Sequence, residues 1–261
     1  FGWFLTLSAL FLMVAFLVMS GISLATNRQM LDEAVTVGEN ALALRKSDSG
    51  KDILAKKEDE VRQELRVIED MRPLLTTLDN YNRDGAPIYM RFGMYSGNKI
   101  YEQNLLPLYL NLVEARFKTP AVKKLEADLR KFADGKGVLN PSQLTEKEEQ
   151  DLDKHYNMLK AYLMLSGQYR EKADAPHIAN ALKDYWVAES KVPSDMRSTA
   201  EQHLEFWAKQ VDRDANSGNF PRIDLNAKLV DDTRRKLQAF PAVYRYYSNR
   251  VTTISKEIDD K

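Results

Sequence analysis

Phe1-Gly-Trp-Phe-Leu-Thr-Leu-Ser-Ala-Leu-Phe-Leu-Met-Val-Ala-Phe-Leu-Val-Met-Ser-Gly-Ile-Ser-Leu-Ala25 contains no charged side chain, and the first charge after it is Arg28. About 20 apolar residues in a helix match the roughly 30 Å hydrocarbon core of a bilayer. The stretch predicts a membrane-spanning helix over residues 1–26. Trp3, Phe4, Leu10, Phe11, Phe16, Leu17 and Ile22 are the side chains expected to anchor it. A secretory signal peptide is the rival reading, since Ser23-Leu24-Ala25 resembles the small-x-small pattern of a cleavage site. Against that, the apolar run exceeds the roughly 7–15 residues of a signal core and no basic leader is seen. The start at Phe1 leads us to expect sequence ahead of the helix. Gly21 and Ala25 form a small-xxx-small pair that would let a second helix approach. No ionisable residue lies inside the span, so it offers no proton relay or ion path. The positive-inside rule needs both flanks, so the span alone leaves its orientation open.

Everything after the span reads as one water-soluble body, residues 27–261, with a division into two sub-bundles near 135–145 as the alternative. It is long enough to bury a proper core. The chain carries 38 basic against 38 acidic residues, which argues against a nucleic-acid partner. It has no cysteine, which removes disulfides, thiolate metal sites and a cysteine nucleophile.

The helical period recurs along the whole body. Residues 26–44 are helix-friendly, so the span is expected to run on into water, up to a turn cluster at Ser47-Asp48-Ser49-Gly50. Ile53, Val61, Leu65, Ile68 and Leu75 predict a long helix over 52–78, with Pro73 expected to kink it or end it early. Asn82 to Pro87 reads as a loop, and Arg91 to Tyr101 as an aromatic turn. Gly93, Gly97 and Lys99 invite a phosphate-loop reading, which fails because the spacing is Gly-x-x-x-Gly-x-Lys followed by Ile100. A helix over 101–117 carries Pro107 as a break or late start. Thr119-Pro120 reads as an N-cap with proline at the first helical position. Thr145-Glu146-Lys147-Glu148 has the capping-box pattern, and Gly167 closes the helix that follows. Further helices are expected over 176–190, around Leu204, Trp207 and Val211, around Leu225 to Leu237, and around Val243 to Ile254. A break at Phe240-Pro241 separates the last two. No alternating β-branched run interrupts the series. The fold class is all-α: one N-terminal transmembrane helix followed by a soluble domain of eight or nine helices.

Catalytic chemistry finds little footing. His155, His177 and His203 are the only histidines, and no two are three or four apart, so no metal site is expected. Each reads as a surface or partly buried helix residue. The acidic run from Glu146 to Asp153 lacks calcium-loop spacing and covers the first turns of a helix, where carboxylates suit the dipole. No Gly-x-Ser-x-Gly elbow or dinucleotide fingerprint occurs. Tyr244, Tyr246, Tyr247, Trp186 and Trp207 read as core or interface aromatics. No enzymatic activity, cofactor or metal is expected.

Arg91-Phe92-Gly93-Met94-Tyr95 with Lys99 and Tyr101, followed by Tyr156-Asn-Met-Leu159-Lys-Ala-Tyr162-Leu163-Met-Leu165, resembles the periplasmic segment of TssM/IcmF proteins, the large inner-membrane subunits of type VI secretion systems. Phe206-Trp207-Ala208 and Leu237-Gln238-Ala239-Phe240-Pro241 before Tyr244 also fit. The resemblance covers nearly the whole chain, and its most specific part is Leu159 to Leu165. It implies a structural role with no catalytic residues. Residues 1–26 would be the last crossing of the bacterial inner membrane, contacting membrane lipid, and 27–261 a periplasmic helical arm. The family's partners would be a TssL-type inner-membrane protein, a TssJ-type outer-membrane lipoprotein and further copies of the same chain. Arg91, Phe92, Gly93, Tyr95, Tyr101, Tyr156, Leu159, Tyr162 and Leu163 would be packing residues of the family pattern. Two other readings stay open: a membrane-tethered helical sensor whose pocket Arg91 and Tyr95 would line, and, more distantly, a hydrolase.

Overall fold

A computed structural model describes residues 2–48, 55–92, 95–135, 145–168, 174–214 and 222–238. Among them there is helix and no strand. The all-α reading holds. The expected break near 135–145 falls mainly on residues 136–144, and the expected helix from Val243 to Ile254 on 239–261, both outside the described residues.

The first helix, α1 (Gly2–Asp48), continues without interruption from the apolar run into the charged sequence. Nothing in residues 26–44 stops it, since Gly38 is the one glycine there and Pro is absent. It is also the one helix among the described residues long and apolar enough to cross a membrane. Ser47 and Asp48, expected in a turn, are still helical, and residues 49–54 lie outside the described residues.

The chain forms two compact units. One is built from the residues up to Arg116 together with Lys191–Thr199. In it α1 packs on α2 (Glu58–Asp84), on the short α3 (Ile88–Arg91) and on α5 (Leu106–Val113). The turn α4 (Gly97–Lys99) packs on α2. Along α1 the covered positions are Ser23, Asn27, Met30, Ala34, Val37, Ala41 and Leu44. Their alternating four- and three-residue steps are those of a helix held against neighbours along one seam. Small residues at 34 and 41 let the facing helices come close. From α2 the core receives Val61, Leu65, Ile68, Met71, Leu75 and Leu78.

Pro73 does not end α2, which runs on to Asp84. The proline ring is exposed while Leu74, Leu75 and Leu78 beyond it are buried. A mid-helix proline costs about 3 kcal/mol, and burying each such leucine returns roughly 1.5–3 kcal/mol. Burial wins. The helix stops only at Gly85, whose φ of +84° is a conformation that favours glycine.

The two later prolines are also absorbed. Pro107 follows a π-helical segment, Ile100–Leu105, and Pro120 follows another, Glu114–Lys118, each proline lying in the first turn of the next α segment. The change of hydrogen-bond register at a π turn puts each missing N–H at a junction rather than mid-helix. Thr119 is accordingly inside the helical run and caps nothing: Lys118 before it is helical and no side-chain cap is made.

The second unit uses the residues from Phe117 to Ser190 and from Ala200 onward. Here α6 (Thr119–Asp134), α7 (Glu146–Leu165), α8 (Ala175–Ala188) and α10 (Ala227–Gln238) pack together. The remaining helix, α9 (Arg197–Asp214), brings Trp207 to within 5.3 Å, ring to ring, of Trp186 on α8. Phe117 stacks on Trp186 at 5.1 Å. Both tryptophans are fully buried. The α7 N-terminus has the expected capping box, with Thr145 and Glu148 exchanging side-chain and backbone bonds.

Candidate membrane anchor and packing sites

The apolar part of α1 presents its side chains outward on every side. Trp3 and Phe11 are the most exposed large apolar residues, and Leu10, Phe16, Leu17 and Ile22 are likewise exposed. The side chain of Phe4 lies outside the described residues. Only 6% of the most apolar stretch of the helix is covered by the rest of the chain. In water an exposed apolar cylinder of this length would be strongly unfavourable, whereas lipid is the medium it suits. Gly21 has no neighbour against its backbone.

At the end of the apolar run α1 meets the body. The Ser23 hydroxyl donates to the Met90 carbonyl at 2.7 Å, and Asn27 Nδ2 donates to the same oxygen at 2.9 Å. Phe92 sits edge-on to Phe16 with ring centroids 6.0 Å apart. Arg91 is exposed and reaches back over Gly85. Tyr95 packs edge-on to Tyr81 and lies across Gly97, where a Cβ would run into the phenol ring and its oxygen. Burial pushes the Tyr95 phenol above its ordinary pKa. Tyr101 is buried and donates to Asp79 at 3.0 Å. Gly93 lies outside the described residues.

The far end of α1 is fixed by charge. Lys56 Nζ lies 2.6 Å from Asp48 and 2.8 Å from Glu64, and the Arg116 guanidinium lies 3.6 Å from Glu64. All four side chains are largely or wholly removed from solvent. Burial pulls the Arg116 guanidinium below its usual pKa, and the carboxylates of Glu64 and Asp48 oppose that. Two positive and two negative charges so arranged neutralise one another, the condition under which buried ions are tolerated. Sequence reasoning missed this quartet, because its members are 8 to 68 positions apart and no pattern joins them.

In the second unit, Leu159, Tyr162 and Leu163 are buried on α7 and Tyr156 is half-buried. The Tyr162 hydroxyl donates to Glu126 at 2.7 Å and accepts from the Asn226 amide at 3.1 Å. From Ala161 to Ser166 every residue is buried. The run Met158 to Leu165 is apolar nearly all round, the pattern of a helix enclosed by others rather than one with a single buried stripe. The packing set of the aromatic turn and that of α7 belong to different units.

The histidines sit in helix packing. His155 stacks on Phe132 at 4.1 Å, and His177 Nε2 lies 3.1 Å from the Asn157 carbonyl. His203, expected at the surface or partly buried, is fully buried beside Phe117. Among the described residues no three His, Asp or Glu side chains gather as a metal site would require.

A family model, IcmF-related (intracellular multiplication and human macrophage-killing), matches residues 65–258. The match begins within α2 and takes in both sets of packing residues. No curated protein and no solved structure matches the chain. With well over half its length covered, the chain belongs to the IcmF-related family.

Proposed function

We propose that this chain is a scaffold subunit of an IcmF-type secretion system, fixed in the bacterial inner membrane by α1 and carrying a helical body in the periplasm for assembly. Family membership points to a secretion component. The observation that carries the scaffold reading is the continuity of α1. One helix passes from exposed apolar residues into a buried seam and ends in a buried charge quartet. A helix clamped over that length transmits displacement between membrane and body, where a flexible linker would absorb it. The anchor side chains are Trp3, Phe4, Leu10, Phe11, Phe16, Leu17 and Ile22. The packing role of the family-pattern residues and the reading of 1–26 and 27–261 as separate working parts belong to the same proposal. Its partners are membrane lipid, further copies of the chain, and TssL- and TssJ-type proteins.

Cross-linking with mass spectrometry on the full-length protein in cells tests it. The expected result is body lysines such as Lys183 and Lys228 linked to an inner-membrane partner, an outer-membrane lipoprotein and other copies. Modification of those lysines by a membrane-impermeant reagent from the cytoplasmic face alone would overturn the proposed orientation.

A further inference from the structure

We propose that Ile88, Tyr89 and Phe92 form a second membrane contact, a wedge seated in the lipid leaflet that the body faces, beside α1. This rests on reading α1 as a membrane span. Among the described residues, large exposed apolar side chains occur in two places: along α1, and at Ile88 (69% exposed), Tyr89 (41%) and Phe92 (42%). The second group is joined to the apolar part of the first. Phe92 meets Phe16 edge-on, and the Met90 carbonyl takes hydrogen bonds from Ser23 and Asn27.

Depth then follows from helix geometry. Phe16 precedes the first charge, Arg28, by twelve residues, which is about 18 Å along a helix axis. The headgroup layer occupies about 5–7 Å on each side of the hydrocarbon. With Arg28 at the outer edge of that layer, Phe16 is still inside the hydrocarbon, and the ring packed against it is at membrane depth too.

The backbone fits such a place. Pro87 has no N–H, the Met90 N–H donates to the Pro87 carbonyl at 2.9 Å, and the Met90 carbonyl is doubly satisfied. Polar backbone at membrane depth is tolerated only where it is bonded within the protein. Tyr89 and the exposed Arg91 suit the headgroup boundary, where an aromatic hydroxyl and a snorkelling guanidinium keep their polar ends wet. The occupant is therefore the phospholipid bilayer.

The chain has no cysteine, so single cysteines report one site each. Phe92→Cys and Ile88→Cys, carrying an environment-sensitive fluorophore, are reconstituted as the full chain in phosphatidylethanolamine–phosphatidylglycerol vesicles. Leu10→Cys marks the span. Gln63→Cys marks a distant site: it is exposed beside Glu64, which Lys56 ties to Asp48, about 30 Å along α1 beyond Arg28. The expected result is a blue shift at 92 and 88, with loss of emission when acyl-chain nitroxide lipids are added, as at Leu10→Cys and unlike Gln63→Cys. Water-like emission at 92 and 88 with Leu10→Cys quenched overturns the wedge and leaves the span intact. No quenching at Leu10→Cys overturns both. Shielding at 92 without lipid quenching, together with a disulfide between unlabelled Phe92→Cys copies, assigns the patch to a second copy and also overturns the wedge.

Discussion

The Ser23 hydroxyl and the Met90 carbonyl, 67 positions apart, meet at 2.7 Å where the apolar part of α1 joins the body. Asn27, one turn on, donates to the same carbonyl at 2.9 Å and to the Ser23 oxygen at 3.3 Å. One buried acceptor thus has two donors. Removing either leaves the carbonyl satisfied, whereas removing both leaves it bare. Ser23→Ala and Asn27→Ala should each cost about 0.5–1 kcal/mol, and the double variant should exceed their sum by about 1 kcal/mol. Thermal unfolding of the four proteins in one detergent measures this cycle. Strict additivity would show that the two donors do not share the acceptor.

Removing one member of the charge quartet should matter more than removing a pair. Glu64→Gln leaves Lys56 with Asp48 and takes away the carboxylate that lies 3.6 Å from Arg116. Breaking a buried ion pair from one side costs about 3–5 kcal/mol, whereas apolar replacement of both members is often close to neutral. Glu64→Leu combined with Arg116→Met should therefore be more stable than Glu64→Gln alone. Denaturant midpoints rank the two, and the opposite order would mean that these charges are solvated rather than buried.

The helical period was legible along almost the whole body, because apolar residues on one face must be covered. What the sequence hid was how prolines would be treated. Pro73 is a local signal for a kink or stop, Pro107 for a break or late start and Pro120 for a helix start, yet Leu74, Leu75 and Leu78 outweigh the first, and π turns re-register the ladder before the other two. Those outcomes depend on neighbours far away in sequence. The anchor of α1 was legible for the same reason that the charge quartet was not. An uncharged run announces itself locally, but Asp48, Lys56, Glu64 and Arg116 become one site only when α1, α2 and the π segment before α6 are brought together. On α7 the run Met158 to Leu165 is apolar almost throughout, which is the local signal of a helix enclosed by its neighbours.

The two ends of α7 depend on local chemistry that can be removed one residue at a time. At the start, Thr145 Oγ1 accepts from the Glu148 amide while the Glu148 carboxylate accepts from the Thr145 amide at 2.7 Å. At the end, the Gly167 N–H reaches the Met164 carbonyl and the Gln168 N–H reaches the Leu163 carbonyl, with Gly167 at φ +70°. That pair of bonds needs the left-handed conformation. A Cβ at 167 would also meet the Arg222 guanidinium at 2.8 Å, though a flexible side chain can move. Thr145→Ala and Gly167→Ala should each lower stability by about 1 kcal/mol. Hydrogen exchange should rise at the end of α7 that carries the change. Equal exchange at both ends in either variant would mean that the caps do not act separately.

Alkaline pH should loosen the second unit in part through Tyr162. Burial pushes its phenol up to about 12, assisted by the Glu126 carboxylate and opposed by the hydrogen bond from the Asn226 amide. An unfolded tyrosine titrates at about 10. The fold thus favours the neutral phenol, so this contribution is complete below about pH 10 and is lost as pH rises from there through about 12. Tyr185, raised by burial and by its bond to Asp128, adds to the loss in the same direction. Tyr162→Phe removes the bonds to Glu126 and Asn226, and should cost about 1–2 kcal/mol at neutral pH. It should also flatten the decline above pH 10, because a residue with no phenol has no proton to lose. Contributions that the substitution does not touch cancel in the difference. Urea midpoints of the wild type and Tyr162→Phe, taken from neutral pH through the alkaline range, should therefore converge as pH rises. Parallel curves would mean that the Tyr162 phenol titrates as it does in the unfolded chain, and that its burial does not govern the alkaline limit.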